Sequence, residues 1–336
     1  MAVLGSILLV IILIWGMLFF VSDMPGDSFE GAPPPLTRQE MALSQRLKNH
    51  VHYLADTIGE RNVWHPGTLE RSVAYIEQHF KAMGLPVTRR PYALEGEAGQ
   101  RMEGAVYNLE VELAGGDPER GVMVIGAHYD TVPASPGAND NGTGVAGLLE
   151  LARLLQGQTF HQTIRLVAFV NEEPPFFQTP EMGSQVYARE SQAAGERITA
   201  MYALETIGYF SNRPHSQSYP FPLGLIYPNQ GHFIAFVANP PSRSLLHQTL
   251  GIFRHHATIP SEGLAAPSFI PGVDWSDHAS FWEYDIPAVM ITDTAPYRYP
   301  HYHQPEDTPD KIDYAAFTRV VSGLADTFVE LASNKK

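Results

Sequence analysis

The sequence predicts an α/β fold in which a mixed, mostly parallel β-sheet is sandwiched between helices. Short apolar runs that fit buried strands recur at 122–127, 164–170, 201–207 and 287–291, and stretches of helical periodicity separate them. Strands that alternate with helices form a sheet covered on both faces. A chain of 336 residues is long enough for one large domain of this kind.

The remaining elements follow from local periodicity. Apolar residues at helical spacing predict helices at 37–57, 69–83, 145–155, 242–255 and 317–331. Strand or hairpin patterns are found at 106–113, 224–227 and 232–237. Residues 209–272 are rich in Pro and aromatic residues. We expect them to line a substrate pocket, and ordinary connecting structure is the alternative.

The first 22 residues differ in character from the rest of the chain. Ala2 to Val21 is a nearly unbroken apolar run, long enough as a helix to cross a bilayer. It lacks a basic start and a small-residue cleavage site, so we expect a membrane anchor, with a cleaved signal peptide as the alternative. The first basic residue after it is Arg38. We therefore expect the domain outside the cytoplasm (periplasmic or extracellular), or secreted if the segment is cleaved.

Domain organisation follows from the same segment. Residues 23–37 contain three consecutive prolines and form a stiff linker. Nothing in residues 38–336 resembles a second linker, so we predict one catalytic domain there.

Composition excludes several classes of protein and site. The net charge of −14 argues against nucleic-acid binding, which needs basic patches. The absence of cysteine excludes disulfides, thiolate zinc sites and cysteine nucleophiles. Any metal must therefore be held by histidine and carboxylate side chains.

Such side chains follow the predicted strands, at the sheet edge where α/β proteins bind their ligands. They are His128, Asp130, Asp140, Glu172, Glu173, Glu205 and His303. Singly, each has an ordinary explanation as a structural histidine, a turn or helix cap, or a solvated acid. Together, two histidines and three carboxylates suffice for two divalent cations that share one carboxylate, with one glutamate to spare. This donor set suits Zn²⁺, with Mn²⁺ or Co²⁺ as alternatives.

Five ordered motifs carry a family resemblance. They are Gly126-Ala-His128-Tyr-Asp130-Thr131, Ala138-Asn-Asp140-Asn-Gly-Thr-Gly144, Phe169-Val-Asn-Glu172-Glu173, Ser276-Asp277-His278, and Tyr302-His303 with Asp307-Thr-Pro-Asp-Lys311. In their order and local sequence they resemble the motifs of the M28 family of zinc metallopeptidases, which includes aminopeptidases, glutamate carboxypeptidases and glutaminyl cyclases. The resemblance covers roughly residues 38–336 and implies the fold of the zinc exopeptidases.

The resemblance also implies roles for single residues. Asp140 bridges two metals, His128 and Glu205 complete one site, and Glu173 and His303 complete the other. Glu172 is the general base and Asp130 orients His128. Tyr302 resembles the tyrosine that steadies the oxyanion in the carboxypeptidase branch. Asp277 touches substrate or supports the site, and helix capping is its alternative.

Two points depart from the family pattern or compete with it. Glu205 stands where aminopeptidase members usually carry Asp, which puts the substrate class in doubt more than metal binding. His301 competes with His303, which we prefer because its spacing to Pro305 and Asp307 fits the motif.

The expected function is hydrolysis of peptide substrates by an aminopeptidase. Alternatives are a glutaminyl cyclase-like acyltransferase, a carboxypeptidase or dipeptidase, and a catalytically dead binding protein on the same scaffold. The last is disfavoured because every ligand position and the base carry a competent residue.

Overall fold

An eight-stranded β-sheet forms the centre of the molecule in a computed structural model that describes residues 15–16, 18–95 and 105–334. Its strands are β1 Thr88–Tyr92, β2 Val106–Leu113, β3 Val122–His128, β4 Thr163–Phe169, β5 Ile198–Glu205, β6 Ile234–Ala238, β7 Ser261–Ala265 and β8 Ala288–Thr292. Their order across the sheet is β1-β2-β4-β3-β5-β8-β6-β7. The strands β4, β3, β5 and β8 run parallel, whereas β2 and β6 pair antiparallel with this central block. The predicted mixed sheet is confirmed, and the carboxyl ends of its four central strands share one edge.

Helices cover both faces of the sheet, as predicted. They are α1 Arg38–His52, α2 Pro66–Ala82, α3 Gly142–Leu155, α4 Gly183–Ala193, α5 Arg243–His256, α6 His278–Trp282, α7 Ala295–Arg298 and α8 Tyr314–Ser333. Successive residues of a strand point to opposite faces. On β3, Met123 and Ile125 accordingly join the core beneath α1, α2, α3, α5 and α8, while Val124 joins a second core beneath α4 and α6. Burial on both faces explains why the central strands read as continuous apolar runs.

One predicted element is wrong. Residues 224–227 were expected as strand or hairpin, but Leu223–Leu225 forms a 3₁₀ turn. Pro220 and Pro222 precede it, and proline has no N–H to donate to a ladder. The apolar residues of this loop instead pack over one face of the sheet, where Leu223 is buried against Phe233 and Val237.

The apolar N-terminal run lies mostly outside the described residues. Residues 18–22 are helical, and Leu18 and Val21 are buried in the same cluster as Leu223 and Phe233. Within 15–16, 18–95 and 105–334, no helix combines the length and the apolar character needed to cross a bilayer. The predicted anchor and the location outside the cytoplasm stay predictions, as do the domain boundaries.

Candidate metal centre

Six predicted site residues converge at the carboxyl edge of the parallel strands. His128 and Glu205 are the last residues of β3 and β5, and Glu172 and Glu173 follow β4. Asp140 lies in the loop before α3, and His303 in the loop after α7. Asn171, Thr206 and His303 at these exits have left-handed backbone, with φ of 58°, 45° and 59°. Such conformations are rare for residues other than glycine and cluster at functional sites.

Asp140 lies between two histidines. Its Oδ1 is 3.3 Å from His128 Nε2, and its Oδ2 is 3.1 Å from His303 Nε2. His128 Nε2 is also 3.3 Å from Glu205 Oε2, and His303 Nε2 is 3.2 Å from Glu173 Oε2. The result is two triads of donor atoms that have Asp140 in common, and a third possible group combines His128, Glu172 and Glu173. The atoms of each group lie within 4.8 Å of one another.

The hydrogen-bonding state of these atoms fits a pair of cations. Within the described residues, His128 Nε2, His303 Nε2 and both carboxylate oxygens of Asp140 are buried and have no hydrogen-bond partner. Leaving buried polar atoms unpaired costs about 1–3 kcal/mol each, so native structures rarely tolerate several together. Divalent cations would accept these lone pairs, and the histidine and carboxylate donors suit zinc.

The electrostatics of the site also favour the binding of cations. Burial raises the pKa of Glu173 to about 7, and the neighbouring charge of Asp140 adds to the effect. Burial likewise raises the pKa of Glu172 well above its usual range. Burial lowers the pKa of His128, but the charges of Glu205 and Glu172 outweigh it and raise that pKa well above normal. Four buried carboxylates around two imidazoles leave an excess of negative charge that bound cations would neutralise.

Asp130 holds the two glutamates by their backbone. Its Oδ1 accepts a hydrogen bond from the Glu172 N–H at 3.2 Å, and its Oδ2 accepts one from the Glu173 N–H at 3.1 Å. Its distance to His128 Nδ1 is 3.6 Å, which is longer than a hydrogen bond. The direct contacts of Asp130 therefore fix where Glu172 and Glu173 leave the strand.

Asp307 performs the corresponding task for the Asp140 loop, a role that sequence reasoning missed. This fully buried side chain accepts from the N–H groups of Asn139 at 2.8 Å and Asp140 at 3.0 Å, and from the Tyr299 hydroxyl at 2.7 Å. Asn141 ties the same loop to β5: its amide donates to Leu204 O at 2.8 Å and its Oδ1 accepts from Thr206 N–H at 3.0 Å. Asp307 was visible in the closing motif, but its partners are distant in sequence.

Tyr302 and Asp277 also lie at this edge of the sheet. The Tyr302 ring stacks on His303 with 3.8 Å between ring centroids. Burial, followed by the charges of Asp140 and Glu173, raises the Tyr302 pKa well above its usual value and keeps the hydroxyl protonated. Asp277 is buried and precedes α6 without any capping hydrogen bond, so the helix-capping alternative is wrong. His301 packs against the Tyr299 ring and belongs to neither triad.

A cavity with about 770 Å³ of empty space, part of it open to solvent, adjoins the centre at Glu205 and Tyr302. Aromatic and aliphatic residues of 217–227 and 262–273 form much of its wall. The Pro- and aromatic-rich segment 209–272 therefore lines the space next to the candidate metal ligands, as expected.

Comparison with known proteins identifies the family. Residues 108–328 match the model of Peptidase family M28. The chain belongs to this family. The uncharacterized protein YfbL of Escherichia coli (strain K12) is 39% identical over 293 residues, which are 84% of this chain and 87% of that protein. Aminopeptidase YwaD of Bacillus subtilis (strain 168) is 50% identical over 52 residues, which are 16% of this chain and 11% of that protein.

Several solved structures share the fold. BSAP, a zinc aminopeptidase from Bacillus subtilis, superposes with a TM-score of 0.67 at 15% identity and covers 87% of this chain and 96% of its own. A glutaminyl cyclase from Porphyromonas gingivalis superposes with a TM-score of 0.64 at 20% identity, and the match covers 86% of this chain and 98% of the cyclase. Aminopeptidases and glutaminyl cyclases thus share this fold. The fold alone does not distinguish the two activities, and the residues of the site have to do so.

Proposed function

We propose that this M28 peptidase is an aminopeptidase that uses two divalent cations, with zinc as the expected metal. His128, Asp140 and Glu205 would hold one cation, and Asp140, Glu173 and His303 the other. The observation that carries the proposal is the pair of triads sharing Asp140, with Glu172 outside both of them. The Glu172 carboxylate is 3.8 Å from His128 Nε2 and belongs to neither of the triads that contain Asp140.

When bound, divalent cations supply Lewis acidity, which polarises a carbonyl group and lowers the pKa of water toward neutrality. Glu172 takes a proton from the attacking water and passes it to the nitrogen of the leaving amine. The Tyr302 hydroxyl, held protonated, donates a hydrogen bond to the carbonyl oxygen as negative charge develops on it. Asp130 keeps Glu172 in place by accepting a hydrogen bond from the Glu172 backbone N–H.

Charge favours a substrate with a free amino terminus. Among the described residues that line the cavity beside Glu205 there is no Lys or Arg to pair with an α-carboxylate. The buried carboxylates that would hold no cation, those of Glu172 and Asp277, instead attract an α-ammonium group. These charges favour an aminopeptidase over a carboxypeptidase.

The test combines Glu172→Gln with metal analysis and a panel of aminoacyl amides, dipeptides and peptides with an N-terminal glutamine. We expect two metals per chain in the native protein and in E172Q, with kcat lowered at least 100-fold in E172Q, since general bases contribute roughly 10²–10⁴-fold. The exposed Glu190 on α4 provides the control, because E190Q removes a carboxylate that belongs to none of the possible metal-holding groups.

Turnover of E172Q at the native rate would overturn the assigned base. One metal per chain, together with cyclisation of N-terminal glutamine and no hydrolysis, would favour the glutaminyl cyclase alternative. A native protein that binds no metal and acts on none of the panel would favour a binding role.

A further inference from the structure

The cavity next to the metal centre is an apolar trough with a carboxylate at each end. Among the described residues that line it, the acids are Glu205 and Glu262, and none is Lys, Arg or His. Glu205 belongs to the metal centre. Glu262 lies on β7, at the far edge of the sheet, and has no part in the reaction described above.

Strand register shows how the two carboxylates are related. Glu205 pairs with Thr292, Thr292 with Ala235, and Ala235 with Glu262. Residues paired across neighbouring strands point to the same face, and all four line the trough. Three strand spacings of about 4.8 Å separate Glu205 and Glu262 by roughly 14 Å. The floor of the trough is thus one lateral row of side chains that begins at a metal ligand and ends at Glu262.

The aromatic neighbours of Glu262 leave its carboxylate available. Tyr219 and Tyr227 stack with 5.7 Å between centroids and also line the trough. Their hydroxyls donate to backbone oxygens, Tyr219 to Pro228 O and Tyr227 to Gly263 O, each at 2.6 Å. Neither hydroxyl is therefore committed to Glu262.

The guanidinium whose charge acts on Glu262, that of Arg254, is also committed elsewhere. Arg254 donates to Gly26 O at 2.8 Å, Pro25 O at 3.1 Å and Ser261 O at 2.9 Å. Burial raises the pKa of Glu262, and the charge of Arg254 only partly offsets it. A carboxylate half-buried beside stacked tyrosines in an apolar trough is a receptor for a cation.

We propose that the trough receives the side chain of the substrate's N-terminal residue and that Glu262 selects a long side chain with a cationic end, of the arginine or lysine class. This inference rests on the proposed aminopeptidase activity. An extended arginine reaches roughly 7 Å from Cα to its guanidinium, given bond lengths of about 1.5 Å. The rest of the distance between Glu205 and Glu262 is occupied by the substrate backbone at the metal centre and by the hydrogen bond from the guanidinium to Glu262. The methylene stem packs on Met290, Val237 and Leu264, and the guanidinium lies against the tyrosine pair.

The test compares arginyl, lysyl and norleucyl 4-nitroanilides, since norleucine matches the stem of lysine without its charge. We expect kcat/KM of the native protein to be at least tenfold higher for the arginyl than for the norleucyl substrate. In Glu262→Gln this ratio falls at least tenfold, and in E262R it falls below one. Asp27 is the matched control, because its charge also acts on Arg254 but it lies outside the trough. D27N should leave the ratio within twofold of native.

A ratio that E262Q leaves unchanged would overturn the inference while the aminopeptidase activity stood. Absence of hydrolysis of all three substrates would instead refute the proposed function. Binding is therefore measured separately, as the rise in Tm given by L-argininamide and by norleucinamide. L-Argininamide should raise the Tm more than norleucinamide in the native protein and not in E262Q. Equal shifts in both proteins would refute the role of Glu262 independently of turnover.

Discussion

Replacement of Asp130 by asparagine tests how the general base is held. The two oxygens of Asp130 accept from the N–H groups of Glu172 at 3.2 Å and Glu173 at 3.1 Å. An asparagine keeps one acceptor and turns its NH₂ group toward the other N–H donor. One of the two hydrogen bonds is lost, and a buried backbone N–H is left unpaired.

The size of the effect follows from these contacts. A hydrogen bond to a charged acceptor contributes about 1.5–3 kcal/mol. If that energy holds Glu172 and Glu173 in their reactive positions, its loss lowers kcat/KM roughly 10- to 150-fold, at 1.36 kcal/mol for each factor of ten. D130A loses both hydrogen bonds, so its loss of kcat/KM should exceed that of D130N.

The assay is kcat/KM on a leucyl amide, together with metal content per chain. Asn108 supplies the control at the same strand exit: it accepts from Val170 N–H at 3.1 Å and donates to Gly183 O at 2.8 Å, and neither partner is a candidate metal ligand. N108A should lower the free energy of unfolding while its folded fraction keeps kcat/KM within threefold of native. Activity of D130N within twofold of native would show that the backbone contacts of Asp130 do not position the base.

Two further predictions concern the shared ligand and a buried ion pair. D140N should weaken binding of both metals, whereas H128A should mainly empty one site; titration with zinc distinguishes them, and loss of a single metal in D140N would contradict a shared ligand. Burial raises the pKa of Glu150, but hydrogen bonds from His50, Arg153 and Arg46 outweigh it and lower that pKa to about 2. Because the folded-state pKa lies below the ordinary value near 4.5, this stabilisation, about 3 kcal/mol, is present above pH 4.5 and lost as pH falls toward 2. E150Q should therefore lower the free energy of unfolding by about that amount at pH 7 and by less at pH 4, measured by urea denaturation; an equal loss at both pH values would refute it.

The elements of the fold that could be predicted are those whose burial produces a recognisable pattern of apolar residues in the sequence. The central strands β3, β4, β5 and β8 are apolar on both faces and end next to polar residues, so both their existence and their functional edge were predictable. The edge strand β1, with sequence Thr-Arg-Arg-Pro-Tyr, is largely exposed and carries no such pattern. The other edge strand, β7, contains Ser, Glu and Gly, which are weak strand formers.

The proposed role of Glu262 depends on strand pairing that local sequence patterns do not encode. The strand β8 follows β7 in sequence but lies two places from it in the sheet, with β6 between them. Only the register Glu205–Thr292–Ala235–Glu262 places this acid at the end of the row that starts at a candidate metal ligand. A residue that reads as a solvated acid on an edge strand thereby becomes the far end of a pocket.

Asp140 shows how a loop residue can be held in place for its proposed role as the shared ligand. Asn-Asp-Asn-Gly is a turn sequence by composition, and an ordinary turn would leave the carboxylate free to move. Here Asp307 holds the Asn139 and Asp140 N–H groups, and Asn141 joins the loop to Leu204 and Thr206 at the end of β5. The loop is therefore fixed to the same strand that supplies Glu205. Because both triads include Asp140, any motion of this loop would disturb both, and the buried hydrogen bonds of Asp307 and Asn141 oppose that motion.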